Sequence, residues 1–357
     1  MSIDFRAPLR RDILKSGLAV GGLIAAANLV RTKAAIAATA SGLDPVDLDI
    51  RFGTTSSIWG RTHSTEFWIR RVGELGLQGI EPYPQTTTKW YDIKNNVCDP
   101  KGLKKLFDAA GITFIDCSNG AAGQSTNFID PDAIPKTISD HVAMARDFLA
   151  PLGADHWKCN MGRRPDGGPT DDQLKRLADT ANKIGEQTIK YGVRLALHPH
   201  IWGPMEREHD VRTVMANTDP RYVWMTLDTG HNVLGGMVPQ DIISEYFPRI
   251  AEIHLKDTYA KYRGNRSTPT QEQHKIASVY HNLGGGGVDF PAVFKVLREK
   301  HFKGWAIFDV DGPRQGDDGY DALGGDQTNE DLRVDDYFAI NINYLRDVLG
   351  VRLPPPG

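Results

Sequence analysis

The chain has 357 residues, and its 42 Lys and Arg nearly balance its 45 Asp and Glu, so the formal net charge is −3. No long run of Lys or Arg follows the first 40 residues, which argues against a nucleic-acid partner because phosphate binding leaves a basic footprint. The three cysteines form no close pair and indicate neither a zinc knuckle nor a disulfide framework. Cys117 and Cys159 lie in strand patterns and are expected to be buried thiols. One disulfide bond in the periplasm is the alternative.

Residues 1–40 have the layout of a bacterial twin-arginine export signal. The charged segment RRDILK comes first, a largely uncharged stretch covers residues 16–30, and small residues fill positions 34–40. The apolar stretch is shorter than the roughly 20 residues that a bilayer span requires. We therefore expect cleavage near Ala37 or Ala40, a periplasmic mature protein and no stable membrane anchoring. An uncleaved anchor or an amphipathic surface helix is the alternative.

Strand and helix patterns alternate from residue 49 onward. The strand patterns are IRFGTTSSIW, GLQGIEPYP, ITFIDCSNG, ADHWKCNMG, VRLALHPH, YVWMTLDTGH, AEIHLKD and GWAIFDVD. The helix patterns cover residues 64–75, 101–111, 133–152, 171–191, 211–215, 239–246 and 291–300. Eight strands separated by helices predict a parallel sheet that closes into one (β/α)8 TIM barrel, an α/β fold over residues 41–357. An open doubly wound sheet is the alternative, but no GxGxxG turn follows the first strand.

Two connections, residues 83–99 and 259–287, are longer than simple turns. Loops of that length in a compact domain are usually functional lids or disordered segments. Both follow the C-terminal end of a strand, so in a barrel they would overhang the same mouth. The four glycines at 284–287 suit a hinge or a substrate-contacting loop, or else only the entry turn to the next helix.

Four strand patterns in the second half end in a side chain that can bind a metal, and these are His198, Asp228, His254 and Asp309. A parallel barrel would aim all four inward at one end. Charged groups at the ends of apolar strands are costly to bury unless they are paired or bound to a metal, so their repetition predicts one shared divalent ion.

The order of these strands resembles the xylose isomerase-like TIM-barrel family, which includes sugar isomerases, sugar epimerases and inosose-handling enzymes. The resemblance is carried by LDTGH, IHLKD and NLGGGGVDF followed by PAVFKVLREKHFKGWAIFDVD, and it covers residues 49–351. In that family, Glu, Asp, His and Glu at the ends of strands five to eight typically hold one divalent metal. The resemblance implies that Asp228 and His254 are the matching Asp and His, with His198 and Asp309 standing where the glutamates are usual.

These departures bear on the metal and on proton transfer. A ligand set in which His replaces a carboxylate favours Mn²⁺, Co²⁺, Fe²⁺ or Zn²⁺ over Mg²⁺. In the family's isomerases and epimerases the two glutamates also serve as acid and base, and neither is present at those positions. Other inward-facing side chains are therefore candidate catalytic groups, namely His200, Lys256, Glu81 and Lys158.

Some of these candidates have alternative roles. His200 is predicted to bind substrate, to act as the base, to serve as a fifth ligand, or only to hydrogen-bond within its loop. Lys256 is predicted to hold a developing oxyanion, or simply to pair with Asp257 or Asp311. The resemblance implies that His231 contacts substrate. Further substrate-binding candidates are Trp59, Trp202 and Asp311. Tyr83 is a third aromatic residue that could stack on a sugar face. Aromatic residues of this kind are more often part of the core.

A divalent ion with open positions can chelate a ketone and a neighbouring hydroxyl of a sugar and stabilise the enediolate left by proton removal. That step serves isomerisation, epimerisation and β-elimination alike. We therefore expect a metal-dependent isomerase or epimerase with a small carbohydrate substrate. The alternatives are a lyase that cleaves a keto-glycoside and a non-catalytic periplasmic carbohydrate-binding protein. A three-metal endonuclease is set aside because it requires a basic groove, and homo-oligomerisation stays open.

Overall fold

A computed structural model describes residues 49–59, 63–265, 267–276, 278–309 and 330–353. The predicted export signal and the candidate Asp311 lie outside these residues. None of the helices in the described ranges combines the length and apolar character that a membrane crossing requires.

Eight parallel strands form one curled sheet. They are β1 (Ile50–Thr55), β2 (Gly79–Glu81), β3 (Thr113–Phe114), β4 (His156–Cys159), β5 (Arg194–Leu197), β6 (Val223–Asp228), β7 (Ile250–Leu255) and β8 (Gly304–Phe308). Hydrogen-bonded neighbours follow the order β3–β2–β1–β8–β7–β6–β5–β4, and each pairing is parallel. This order confirms the predicted (β/α)8 barrel over the open doubly wound alternative.

Side chains close the barrel where β3 meets β4. The Trp157 indole donates to the Cys117 carbonyl at 2.6 Å, and the Asn160 N–H donates to the Asn119 side-chain oxygen at 2.8 Å. These bonds satisfy backbone groups that would otherwise need a strand ladder. The two edges of the sheet are therefore joined, although β3 is very short.

The helices follow the predicted alternation. They are α1 (Thr65–Glu74), α2 (Pro100–Ala110), α3 (Ile134–Met144), α4 (Ala150–Leu152), α5 (Asp171–Thr188), α6 (Glu208–Ala216), α7 (Thr229–Leu234), α8 (Pro239–Tyr246), α9 (Gln271–Ile276), α10 (Phe290–Glu299) and α11 (Glu330–Asn343). Local sequence explains several boundaries. Ser64 caps α1, Thr170 and Gln173 form a capping box on α5, and Gly111 ends α2 in the left-handed conformation.

Apolar side chains fill one end of the barrel interior. Trp305 and Ile307 of β8 pack with Ile115, and an added Cβ on Gly79 of β2 would lie 2.7 Å from the Trp305 ring. Because side chains alternate along a strand, the same face of β8 then presents Asp309. The register that buries these apolar side chains thus also turns Asp309 toward the interior.

The two long connections carry secondary structure of their own. The first contains a ribbon of Tyr91–Asp92 with Val97–Cys98, and the second contains α9 and a ribbon of Asp257–Thr258 with Tyr280–His281. Neither is a structureless loop. Cys117 and Cys159 are buried free thiols, as expected, and burial raises the pKa of both.

A buried carboxylate fixes the glycine-rich end of the second connection. Asp257 accepts hydrogen bonds from the N–H groups of Gly284, Gly286 and Val288 at 3.0, 3.3 and 2.8 Å. Gly284 and Gly286 both have φ of +92°, which favours glycine. The glycine run is therefore wrapped around a carboxylate that lies two residues beyond β7.

His141 is a buried neutral imidazole between α3 and the barrel. Its Nδ1 donates to the Thr137 carbonyl at 2.7 Å, and its Nε2 accepts from the Asn119 amide at 3.0 Å. Phe128 and Trp157 pack against the ring. Burial lowers the pKa of His141 to about 4. The unfolded chain therefore takes up this proton at a higher pH than the folded protein does.

The first prediction concerns stability against pH. The contribution of neutral His141 is fully present above its unfolded pKa of about 6.5 and is lost as the pH falls through about 4. Between pH 7 and pH 5 it should lower the free energy of unfolding by about 2 kcal/mol. Urea denaturation at both pH values should show this loss in the wild type and not in His141→Gln. An exposed control, His209→Gln, should behave like the wild type; equal pH dependence in all three proteins would contradict the assignment.

Candidate metal centre and substrate cavity

Three strand ends and one short helix bring a group of buried ligands together. We call this group the central cluster, and it consists of His198, Asp228, His231 and Asp309. One ligand atom from each lies within 4.8 Å of the others. Asp228 ends β6 and also caps α7, because its Oδ1 accepts from the His231 N–H at 2.8 Å. The cap therefore leaves Oδ2 of Asp228 to face the cluster.

Three buried atoms of the cluster have no hydrogen-bond partner among the described residues, and they are His198 Nε2, Asp228 Oδ2 and His231 Nδ1. The Nδ1 of His198 is 3.0 Å from the Asn160 amide oxygen, which directs Nε2 toward Asp228 Oδ2 at 3.8 Å. Both facing atoms are buried and unsatisfied. Such groups are costly to bury unless a cation joins them, and a histidine oriented by an outer carbonyl is typical of metal sites. The residues present therefore fit a divalent metal ion.

Protonation states in the cluster also suit a cation. Burial lowers the pKa of His198 well below its usual value, so the imidazole is neutral and keeps a lone pair. For Asp309, burial acts to raise the pKa, but Lys256 and His254 outweigh it and hold the pKa well below the usual range. Asp309 is therefore anionic. Its Oδ2 lies 3.1 Å from Lys256 Nζ and 3.0 Å from His254 Nδ1.

His254 of β7 lies beside the central cluster and contacts Asp309 of that cluster. Its Nδ1 is 4.0 Å from Asp228 Oδ2, whereas its Nε2 is 2.8 Å from Glu81 Oε2. With Glu81 and Glu252 it forms a second buried group whose ligand atoms lie within 4.8 Å. The structure thus brings together three of the four predicted ligands, with His231 as their neighbour. The ligand set containing His254 stays a prediction.

The candidates Glu81 and Lys158 bind each other inside the barrel. Lys158 Nζ lies 2.7 Å from Glu81 Oε1, and both side chains are fully buried. Ser118 also donates to Glu81 Oε1 at 2.7 Å. Burial acts to lower the pKa of Lys158, but Glu81 outweighs it and raises the pKa well above its usual value. Glu81 and Lys158 therefore form a charged ion pair in the barrel interior.

His200 and Lys256 lie on the side of the cluster that faces the second long connection. The His200 and His231 rings are 3.7 Å apart between centroids, and His231 Nε2 is 3.3 Å from Lys256 Nζ. Lys256 Nζ also lies 4.6 Å from the centre of the Tyr280 ring. Because Tyr280 belongs to the second connection, this connection covers the cluster, in agreement with its predicted position at the mouth.

The three aromatic candidates have different surroundings. Trp59 is buried and stacks on Phe338 in the core. Tyr83 directs its hydroxyl to Asp309 Oδ1 at 3.3 Å. Trp202 is half-buried and lines a cavity of about 330 Å³ together with His198 and His200. Tyr83 and Trp202 therefore lie near the cluster, and Trp59 lies in the core.

Asn160 and Tyr280 are site residues that sequence reasoning missed. Asn160 lies two residues beyond Lys158, so strand alternation would have placed it on the same inward face. Tyr280 follows 21 residues after Tyr259 in the second connection, and no local pattern indicates that it returns to the mouth.

Comparison with known proteins agrees with this geometry. Residues 69–333 match the family described as xylose isomerase-like TIM barrel, and the chain belongs to that family. This confirms the resemblance drawn from the strand order and the LDTGH and IHLKD motifs. The family is enzyme-like: proteins similar to this chain include inosose dehydratases, and solved structures of similar fold include a 3-keto-D-glucoside 4-epimerase from E. coli.

Two relatives and one solved structure give the range of similarity. The inosose dehydratase of Clostridium botulinum (strain Alaska E43 / Type E3) is 27% identical over 271 residues, which cover 71% of this chain and 84% of that protein. The inosose dehydratase of Lacticaseibacillus casei is 30% identical over 151 residues, 40% of this chain; here the chain spans about half, 48%, of the relative's length. The crystal structure of IolI protein with a binding zinc atom matches with a TM-score of 0.64 at 13% identity, covering 84% of this chain and 98% of that one.

The second prediction concerns metal affinity. Asn160→Ala should weaken divalent metal binding about 10- to 100-fold, because His198 loses the oxygen that orients it. His198→Ala should remove most of the binding. Elemental analysis of purified protein and titration with Zn²⁺ or Mn²⁺ measure both effects. His209→Ala, an exposed histidine bonded to Asp171, is the matched control and should bind like the wild type. Wild-type protein without metal affinity, or unchanged affinity in His198→Ala, would contradict the site.

Proposed function

We propose that this chain is a divalent-metal-dependent lyase that acts on a small cyclic ketone, either an inosose or a keto sugar. The curated relatives support a dehydration, because they are inosose dehydratases. One feature of the site carries the proposal: beside the central cluster lie His200, which lines the cavity, and Lys256, an imidazole and an ammonium rather than a pair of carboxylates. Such a set supplies an imidazole base and a cationic proton donor.

The metal and the base have separate parts in this reaction. When bound, a divalent ion supplies Lewis-acid polarisation of the ketone. The central cluster, with His254 as an alternative fourth ligand, would hold it. His200 suits the base, because its Nδ1 hydrogen-bonds the Ile201 carbonyl and its Nε2 is then the basic nitrogen. His200 also lines the cavity, so it can reach a proton next to a bound carbonyl.

Lys256 suits the proton donor to the leaving group. Its ammonium lies 3.1 Å from Asp309 Oδ2 and 3.6 Å from Asp228 Oδ2, so two carboxylates keep it charged. A charged ammonium beside the substrate can protonate an oxygen as its bond to carbon breaks. In the elimination, His200 removes the proton from the carbon next to the ketone, and Lys256 protonates the oxygen that leaves the following carbon.

An isomerase or epimerase is the second candidate, and family membership favours it. Isomerisation would return the abstracted proton to the substrate instead of expelling an oxygen. Two buried carboxylates outside the central cluster, Glu81 and Glu252, lie beside His254. Glu81 is paired with Lys158 and His254, and Glu252 with His156, so both are engaged. This arrangement favours the lyase over a reaction that needs two carboxylate proton carriers.

The third prediction separates these candidates. The metal-loaded wild type, incubated with 2-keto-myo-inositol in deuterated water, should release water and form an unsaturated or diketone product. His200→Gln should lower kcat about 100-fold or more while metal stays bound. Lys256→Met should lose elimination more strongly than proton exchange, because only the acid is removed. Lys295→Met, an exposed lysine, is the matched control.

Each contrary result has a distinct meaning. Deuterium exchange with an isomerised or epimerised product and no loss of water would replace the lyase by the second candidate. Tight binding of sugars without exchange in a panel of keto sugars and inososes would make the chain a carbohydrate-binding protein. Full activity in His200→Gln would exclude His200 as the base.

A further inference from the structure

We infer that the preferred substrate carries a second hydrogen-bonding group, which lies across Trp202 in an outer cavity, so that an alcohol or a sugar leaves in place of the water lost from a one-ring ketone. This inference rests on the proposed function and specifies its substrate class. Two cavities meet at Trp202. The inner one, of about 330 Å³, includes His198 and His200; the outer one, of about 650 Å³, does not. They share Arg163, Trp202 and Gln271, so they form one continuous groove.

Trp202 is held in a costly backbone conformation at the junction. Its φ is +66°, in the left-handed region that a tryptophan rarely adopts. Three hydrogen bonds hold it there: its N–H donates to Glu206 at 2.7 Å, its carbonyl accepts from the Arg164 N–H at 2.8 Å, and its indole donates to the Pro269 carbonyl at 2.8 Å. Strain of this kind persists where the surroundings enforce it and clusters at binding sites. The indole is therefore a fixed wall rather than a loose surface ring.

The indole lies close to both the inner cavity and the second long connection. Its ring lies 6.3 Å from His200 on one side and 5.5 Å from His274 of α9 on the other, measured between centroids. A fixed aromatic ring beside polar groups suits the apolar face of a sugar ring. A substrate ring held at His200 would thus continue past Trp202 into the outer cavity.

Charge in the outer cavity selects a neutral occupant. Each arginine there faces a carboxylate: Arg164 lies 2.7 Å from Asp210, Arg207 lies 3.2 Å from Glu206, and Arg163 lies 3.5 Å from an aspartate, Asp166. A phosphate site would instead leave its arginines available to the ligand. Paired charges offer donors and acceptors without net charge. The occupant that fits is a hydroxyl-rich group, such as a second sugar.

The chemistry of such a substrate balances without a further reactant. The base takes the proton from the carbon between the ketone and the carbon that carries the ether oxygen. The carbon–oxygen bond then breaks, a carbon–carbon double bond forms, and the departing oxygen receives a proton from Lys256. The products are an unsaturated ketone and an alcohol. Because the substrate enters as a ketone, a separate oxidation of a glycoside hydroxyl must supply it.

The test compares substrates that differ in the second group alone. The probes are methyl 3-keto-glucopyranoside and the 3-keto form of a glucosyl disaccharide, with 2-keto-myo-inositol as the one-ring reference. In the wild type we expect kcat/KM to be higher for the disaccharide than for the methyl glycoside. Arg163→Ala and Gln271→Ala should each lower the disaccharide-to-methyl ratio of kcat/KM about tenfold, the loss expected for one hydrogen bond. Arg70→Ala, an exposed arginine paired with Glu74, should keep the wild-type ratio.

Each outcome bears on one of the two proposals. Turnover of the one-ring ketone with no preference for the disaccharide, or an unchanged ratio in both variants, would overturn the outer subsite and leave the lyase intact. No turnover of any of the three probes by metal-loaded protein would overturn the proposed function itself. Thermal unfolding of each variant shows that the measured protein is folded. Both side chains are exposed, so neither substitution removes a core contact.

Discussion

The interior of this barrel depends on the neutralisation of buried carboxylates by neighbouring cations. Four of these carboxylates are Glu81, Asp228 and Asp309, at or just beyond strand ends, and Glu252, inside β7. An unpaired charge in this position would cost on the order of several kcal/mol. Each carboxylate lies within 4.0 Å of a Lys or His nitrogen, so none stands alone. The strands can therefore end in charged residues without opening the barrel to water.

The buried carboxylates differ in how closely their cations approach. Lys158 with Glu81, and His156 with Glu252, are closed pairs at 2.7 and 3.1 Å. In the central cluster, by contrast, Asp228 Oδ2 and His198 Nε2 face each other at 3.8 Å without a hydrogen bond, and Lys256 Nζ lies 3.6 Å from the same oxygen. The close pairs link β2 to β4 and β4 to β7, and the atoms without hydrogen bonds are those that the proposed metal ion would join. The need to neutralise buried carboxylates thus accounts both for the ion pairs between strands and for the cations around the central cluster.

Much of the fold follows from local sequence. The eight strand patterns and their helices appear close to the predicted bounds, because strand alternation and helix caps depend on neighbouring residues. Alternation also turned His198 and Asp309 inward, since a one-residue change of register would expose their apolar neighbours. Strand alternation does not give the distance between side chains on different strands. Alternation therefore made Glu81 and Lys158 separate candidates for the proton carrier, and only the structure shows that they form an ion pair at 2.7 Å.

The sequence by itself determined which side chains reach the mouth, because each strand fixes the faces of its own residues. Tertiary structure alone decided their partners: Asn160 orients His198, His231 joins the central cluster through the cap on α7, and Tyr280 returns over Lys256. It also decided that Trp202 divides two cavities, since this depends on hydrogen bonds from Arg164 and to Pro269, 38 and 67 residues away in sequence. Such contacts arise from closure of the barrel, and no periodicity along the chain records them.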